Sequence, residues 1–93
     1  MVDNDTIFLY SRDNCQWCDK AKELLTSNGL EFVELKLGVD YTKEFLQNKT
    51  GINKRLTVPQ IFVGDDHIGG YDHLKAWFSM NDQMKGNTYV GAR

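Results

Sequence analysis

The sequence predicts an α/β domain of order β-α-β-α-β-β-α, a four-stranded mixed sheet flanked by three helices. Three observations carry this. Short apolar runs alternate with stretches whose apolar residues recur at helical spacing. The link between the first two runs is long and helical, as a parallel, right-handed βαβ unit requires. The last two runs are separated by a tight Gly64-Asp65-Asp66 turn, which makes them antiparallel. With 93 residues the chain has room for a single domain. Its core is expected over about 6–80, and the polar, Gly-containing segment 81–93 is expected to form a loosely ordered tail.

Each element follows from its residues. IFLYS, Ile7 to Ser11, is a short apolar and aromatic run and predicts a buried strand. SRDN is a turn, with Asp13 or Asn14 as the expected helix cap. Cys18, Ala21, Leu24 and Leu25 then form an apolar stripe, opposite Asp19, Lys20, Lys22 and Glu23, and Asn28-Gly29 ends the helix. LEFVELKL, Leu30 to Leu37, predicts a second strand with one wetter face. Asp40 is the expected cap of a second helix running to about Asn48, with Tyr41, Phe45 and Leu46 on its buried side. VPQIFV is the third strand, with Pro59 at its start because proline donates no ladder hydrogen bond, and HIG is the fourth. From Tyr71 onward, Leu74, Trp77 and Phe78 share one face of a third helix.

Composition excludes several classes of function. The chain is 41% hydrophobic with a net charge of −2, and its basic residues are scattered, so neither nucleic acid nor an anionic membrane is an expected partner. Lys54-Arg55, the one adjacent basic pair, reads as a solvated loop. No apolar run is long enough to span a bilayer, and MVDNDTIFLY lacks the basic n-region of a secretory signal. Two cysteines without such a signal point to a reducing cytoplasm, the host's cytosol if the chain is viral.

Those two cysteines, Cys15 and Cys18 of SRDNCQWCDK, admit three readings. A zinc site would need His67 and His73 as further ligands, but the stretch between Cys18 and His67 far exceeds the ~12–15 residues usual in a finger. No metal is therefore expected, and the histidines read as bystanders, His67 facing solvent beside a turn and His73 on a helix. Coincidental core cysteines fit poorly with position, since Cys15 falls at the strand–helix junction while Cys18 begins the buried stripe. One sulfur outside and one inside, a helical turn apart, suits a redox dithiol. A free thiol with a pKa near ~8.5 is only about 3% ionised at neutral pH. Helix N–H groups and the nearby Arg12 could together supply ~3 kcal/mol, which would lower that pKa by about two units.

Three stretches in this order, YSRDNCQWCDKAKELL, LTVPQIFV and GDDHIGGYDHL, resemble the glutaredoxins, small thioredoxin-fold reductases that use glutathione in electron transport and redox homeostasis. The resemblance covers about Thr6 to Phe78. The loop INKRL, the aromatic after Gly69-Gly70 and the compact length look most like the glutaredoxins of bacteriophages, which implies ribonucleotide reductase as a partner and a monomer as the working form. The resemblance implies that Cys15 is the exposed nucleophile and Cys18 the resolving thiol. It also implies a cis proline in Thr57-Val58-Pro59, with the Val58 backbone turned outward to pair with glutathione. Gly70, Tyr71 and Asp72 match the segment that receives the γ-glutamyl end, and Arg12 matches the cation that meets the glycyl carboxylate. Glutathione would be a co-substrate, with no tightly bound cofactor.

Some positions depart from the family pattern. Gln16 stands where many dithiol members have proline, and Trp17 replaces the usual tyrosine, either as a lip beside the sulfurs or as a surface residue. Tyr71 stands where a small residue is common and would narrow the γ-glutamyl pocket. The lengthened loop Gly51 to Leu56 leaves open which of Lys54 and Arg55 reaches glutathione. The expected activity is glutathione-dependent reduction of protein disulfides or glutathionylated thiols. Two alternatives stand beside it: a [2Fe–2S] cluster held between two chains by Cys15 and two glutathiones, and a thioredoxin-like donor indifferent to glutathione.

Overall fold

The computed structural model describes residues 6–86, with side chains described through residue 80. Its elements are β1 (Ile7–Ser11), α1 (Gln16–Ser27), β2 (Val33–Lys36), α2 (Lys43–Thr50), β3 (Gln60–Val63), β4 (Asp66–Gly69) and α3 (Tyr71–Gly86). The sheet order is β2-β1-β3-β4, with β1 parallel to β2 and antiparallel to β3, and β3 antiparallel to β4. This is the predicted architecture. Among the described residues no helix is long and apolar enough to cross a membrane.

Central position explains the composition of β1. Its alternate residues serve two cores, since successive side chains of a strand point to opposite faces. Ile7 and Leu9 join Ala21, Leu25, Ile61 and Leu74 beneath α1 and α3. Phe8 and Tyr10 join Tyr41, Leu46 and Phe62 on the other side. The antiparallel register sets Leu9 against Ile61 and Phe8 against Phe62, so both strands feed the same two faces. Each fully buried Leu or Ile contributes roughly 1.5–3 kcal/mol. Tyr10 meets Tyr41 and Phe62 edge-on, with ring centroids 5.1 and 5.7 Å apart.

Several boundaries differ from the sequence reading, each for a visible reason. Helix α1 ends with Gly29 at φ 73°, its N–H donating to Thr26 O while Leu30 N–H donates to Leu25 O. That paired closure needs a left-handed residue and engages the Leu30 amide, so β2 begins only at Val33. Helix α2 starts later than expected. Thr42, not Asp40, caps it by accepting from Phe45 N–H at 3.1 Å, while the Asp40 carboxylate accepts from Lys36 N–H across a turn. Of the three side chains read as its buried side, Tyr41 and Leu46 are buried, but Phe45 is half exposed at 49%. Helix α3 continues through Gly86, so the first part of the predicted tail is helical backbone, and residues 87–93 lie outside the described residues.

A polar tie closes the end of β1 that leads to the cysteines. Ser11, fully buried, donates its hydroxyl to Glu34 Oε2 at 2.7 Å, and Lys22 Nζ meets the same oxygen at 3.0 Å. Tyr41 donates its hydroxyl to Ser11 O at 2.8 Å. Burial, with the neighbouring Tyr10 adding to it, pushes the Tyr41 phenol up to about 12, so this donor keeps its proton throughout the neutral range. Burial alone would raise the Glu34 carboxyl as well. The hydrogen bonds from Ser11 and Lys22 and the charge of Lys22 outweigh it and hold that carboxyl below its ordinary value.

A depressed carboxyl contributes stability that is full above its unfolded value and is lost as pH falls through the lower folded one. Glu34→Gln should therefore lower stability by roughly 1 kcal/mol near neutrality. The deficit, read from denaturant midpoints, should shrink as pH falls below the unfolded value of 4.5. An equal deficit at about pH 3 and about pH 7 would contradict the linkage.

Candidate active site

The turn between β1 and α1 presents the cysteines. Asn14 takes φ 55°, a left-handed conformation that asparagine tolerates better than most residues, and it carries the chain into Cys15 at the helix N-cap. Neither Asp13 nor Asn14 caps the helix. Cys15 does so with its own sulfur, which accepts from Cys18 N–H at 3.1 Å. The position usually held by a serine or aspartate oxygen is held here by a sulfur. Asp13 instead pairs with Lys36 Nζ at 3.1 Å, which turns its charge away from the sulfur.

Cys15 and Cys18 are joined in a disulfide, their Cα atoms 5.2 Å apart. Cys18 is 1% exposed, as its place in the apolar stripe required. Cys15 is only 6% exposed, less than an outward nucleophile would be. The bond to Cys18 draws its sulfur inward, to 3.7 Å from Val58 O. Val58 precedes Pro59 through a cis peptide bond, as the family resemblance implied.

Two hollows adjoin this point. One, of about 450 Å³, is walled by Arg12, Trp17, Thr57 and Val58 over an apolar floor that includes Leu46 and Leu56. The other, of about 350 Å³, lies among Trp17, Thr57, Val58, Pro59 and the Gly70-Tyr71-Asp72 start of α3. All eight residues expected to bind glutathione thus surround two hollows that share Trp17, Thr57 and Val58. Trp17 is 51% exposed and leans toward Tyr71, with ring centroids 5.5 Å apart, so it forms a lip rather than packing on unrelated surface. Gly70 lies where an added Cβ would come within 3.6 Å of Pro59 O, an ordinary contact.

Sequence reasoning missed Lys43. It lines the larger hollow with Arg12, giving that hollow two cations, whereas Lys54 and Arg55 line neither hollow. Nothing in the periodicity of α2 marks Lys43. Only the packing of that helix beside the loop after β1 brings it in.

Chemically, the arrangement is suited to stabilising negative charge on the Cys15 sulfur. A backbone N–H points at it from 3.1 Å, and the first turn of a 12-residue helix lies beneath it. The helix terminus contributes roughly 0.3–1 kcal/mol, more when partly buried. Cys18 lies deeper along the stripe and lacks such a donor among the interactions described.

Comparison with known proteins agrees with this geometry. A sequence model of the glutaredoxin family matches residues 7–68. A hybrid peroxiredoxin of Haemophilus influenzae is 40% identical over 75 residues, covering 81% of this chain, and the chain spans only 30% of that longer protein. Glutaredoxin 3 of Escherichia coli K12 is 42% identical over 69 residues, covering 73% of this chain and 80% of its own length. The solved structure of reduced Escherichia coli glutaredoxin is 35% identical with a TM-score of 0.68, covering 84% of this chain and 98% of that one.

The capped sulfur has a measurable consequence after reduction. Iodoacetamide should find one fast thiol, Cys15, whose reactivity rises with a midpoint below pH ~7, and one slow thiol, Cys18. Equal and slow alkylation of both would show that the Cys18 amide and the helix terminus do not activate the sulfur.

Proposed function

This chain belongs to the glutaredoxin family of thiol–disulfide oxidoreductases, and we propose that its reaction runs on glutathione, with Cys15 as the attacking sulfur. One observation carries the reading. The Cys15 sulfur is capped by a backbone N–H and lies 3.7 Å from Val58 O, and Val58 walls both hollows.

On a glutathionylated protein, the Cys15 thiolate attacks the glutathione sulfur. The substrate thiolate leaves and takes up a proton, and Cys15 is left in a mixed disulfide with glutathione. A second glutathione thiolate attacks the glutathione sulfur of that bond, releasing glutathione disulfide and regenerating Cys15. On a protein disulfide, Cys15 instead forms a mixed disulfide with the substrate. Cys18 then attacks the Cys15 sulfur, frees the second substrate thiol and leaves the Cys15–Cys18 bond, which two glutathiones reduce. Each step exchanges one thiolate for another, so rate depends on the attacking thiolate and on the acidity of the leaving thiol.

The hollows suit the two ends of glutathione. The Arg12 and Lys43 side fits the glycyl carboxylate. The start of α3 fits the γ-glutamyl carboxylate, because the first amides of a helix have no partner within it. Asp72, in that first turn, can meet the ligand's ammonium. Between them the Val58 backbone would pair with the central peptide. Ribonucleotide reductase is the protein partner suggested by the likeness of the INKRL loop to phage glutaredoxins.

Two experiments test this reading. Cys15→Ser should abolish turnover, whereas Cys18→Ser should keep reduction of glutathionylated substrates, since glutathione itself replaces the resolving thiol. A dead Cys18→Ser on a glutathione mixed disulfide would rule out the monothiol route. Arg12→Ala should raise the KM for glutathione roughly fivefold to tenfold, a charge-assisted contact weakened by water. Asp72→Ala should raise it by as much if the carboxylate holds the ligand ammonium, and by less if it only supports the helix start. An unchanged KM in both variants would show that glutathione binds elsewhere.

A further inference from the structure

Behind the Thr57-Val58-Pro59 loop, three polar groups form a continuous chain. Gln60, 4% exposed at the start of β3, donates its side-chain amide to Thr57 O at 2.8 Å. Its Oε1 lies 2.7 Å from His67 Nε2 on the edge strand β4. Because the Gln60 amide nitrogen is committed to Thr57, the atom facing His67 is an acceptor, so Nε2 must carry the hydrogen. The His67 ring is itself fixed. It stacks on Phe62 with centroids 4.7 Å apart and planes 21° from parallel, and Phe62 is 2% exposed. A shift in register between Ile61 and Phe62 sets His67 directly opposite Phe62. Gly69 is part of that irregularity. At φ 119°, an added Cβ would come within 2.8 Å of the His73 ring.

We propose that Gln60 and His67 are positioning residues for the site, a relay from the far edge of the sheet that fixes the Thr57 carbonyl and thereby aims the Val58 backbone at the Cys15 sulfur and at an extended substrate segment. The physical argument rests on freedom. Thr57 and Val58 belong to no strand or helix, yet they wall both hollows. A glutamine amide can rotate in the absence of partners at both ends. Here one end is bonded to the loop and the other to a stacked imidazole, so the loop inherits the rigidity of the β3–β4 pair. Preorganised binding edges lose less freedom when a ligand docks. Neither residue lines the hollows, so the relay acts through Thr57 and Val58 alone.

The relay rests on the reading that Val58 pairs with the substrate. The test separates the loop from the ring stack. His67→Phe keeps an aromatic ring over Phe62 but removes the donor, and Gln60→Met keeps volume but removes both bonds. His67→Gln restores an N–H at a similar reach. With a glutathionylated peptide as substrate, His67→Phe and Gln60→Met should each raise KM roughly fivefold with kcat within about twofold, and His67→Gln should return KM near the wild-type value. The pH midpoint of Cys15 alkylation should stay in place, because α1 sets it. An unchanged KM in His67→Phe, or a His67→Gln no better than His67→Phe, would overturn the relay. A fall in kcat and melting temperature with KM constant would do the same, marking the pair as structural only. Wild-type turnover with glutathione tests the functional reading by itself. If it is absent, the same KM ratios are read with dithiothreitol as reductant and a peptide disulfide as substrate, and they decide the relay on the same terms.

Discussion

The Cys18 amide hydrogen bonded to the Cys15 sulfur is the contact on which the rest of the molecule converges. A helix start leaves backbone donors unpaired, and this one spends a donor on a sulfur. For that to happen the sulfur must sit at the N-cap, so β1 must end four residues earlier and the turn must pass through a left-handed Asn14. The central strand, the buried Ser11 tied to Glu34 and Lys22, and the Tyr41 hydroxyl on the Ser11 carbonyl all fix the point from which that turn departs. Stability and chemistry meet at the end of one strand.

The two cores have unequal tasks. The face under α1 and α3 is aliphatic, with Leu9, Leu25, Ile61 and Leu74 almost wholly enclosed, and it holds the cysteine-bearing helix against the sheet. The opposite face is aromatic, with Tyr10, Tyr41 and Phe62 meeting at edges, and its partly buried rim of Leu56 and Val58 runs directly into the larger hollow. Rings with polar tips can close a core and still supply a hydroxyl where the chain turns, as Tyr41 does. Aliphatic side chains offer no such handle.

How much could be read beforehand depended on range. Element order, the parallel first pair and the antiparallel last pair were legible because they follow from local periodicity and turn length. So was the burial of Cys18, which lies on the same stripe as Ala21 and Leu25. The start of α2 was misread because Asp40 and Thr42 are both credible caps, and only the Lys36 amide reveals that Asp40 is engaged elsewhere. Phe45 was misread because periodicity cannot show that an eight-residue helix presses down mainly through Leu46. Family motifs, rather than spacing, pointed to Thr57, Gly70 and Asp72. Lys43 and the His67–Gln60 pair had no signal at all, since they depend on helix placement and on a register irregularity between strands. Histidines read as bystanders can still be bonded at both the ring face and the ring edge, and His67 is.

The sheet's outer strands carry one more consequence. β2 and β4 lie at the two open edges, and each has only four residues. The first bears Glu34 and Lys36, and the second begins with Asp66 and is interrupted by the irregularity before Gly69. Short, charged and uneven edges are poor templates for adding another strand. A molecule whose trade is brief covalent capture of other chains meets unfolded and partly oxidised segments, the material from which aggregates grow. Its borders give those segments little to extend, so an encounter is steered toward sulfur exchange and release rather than toward accretion.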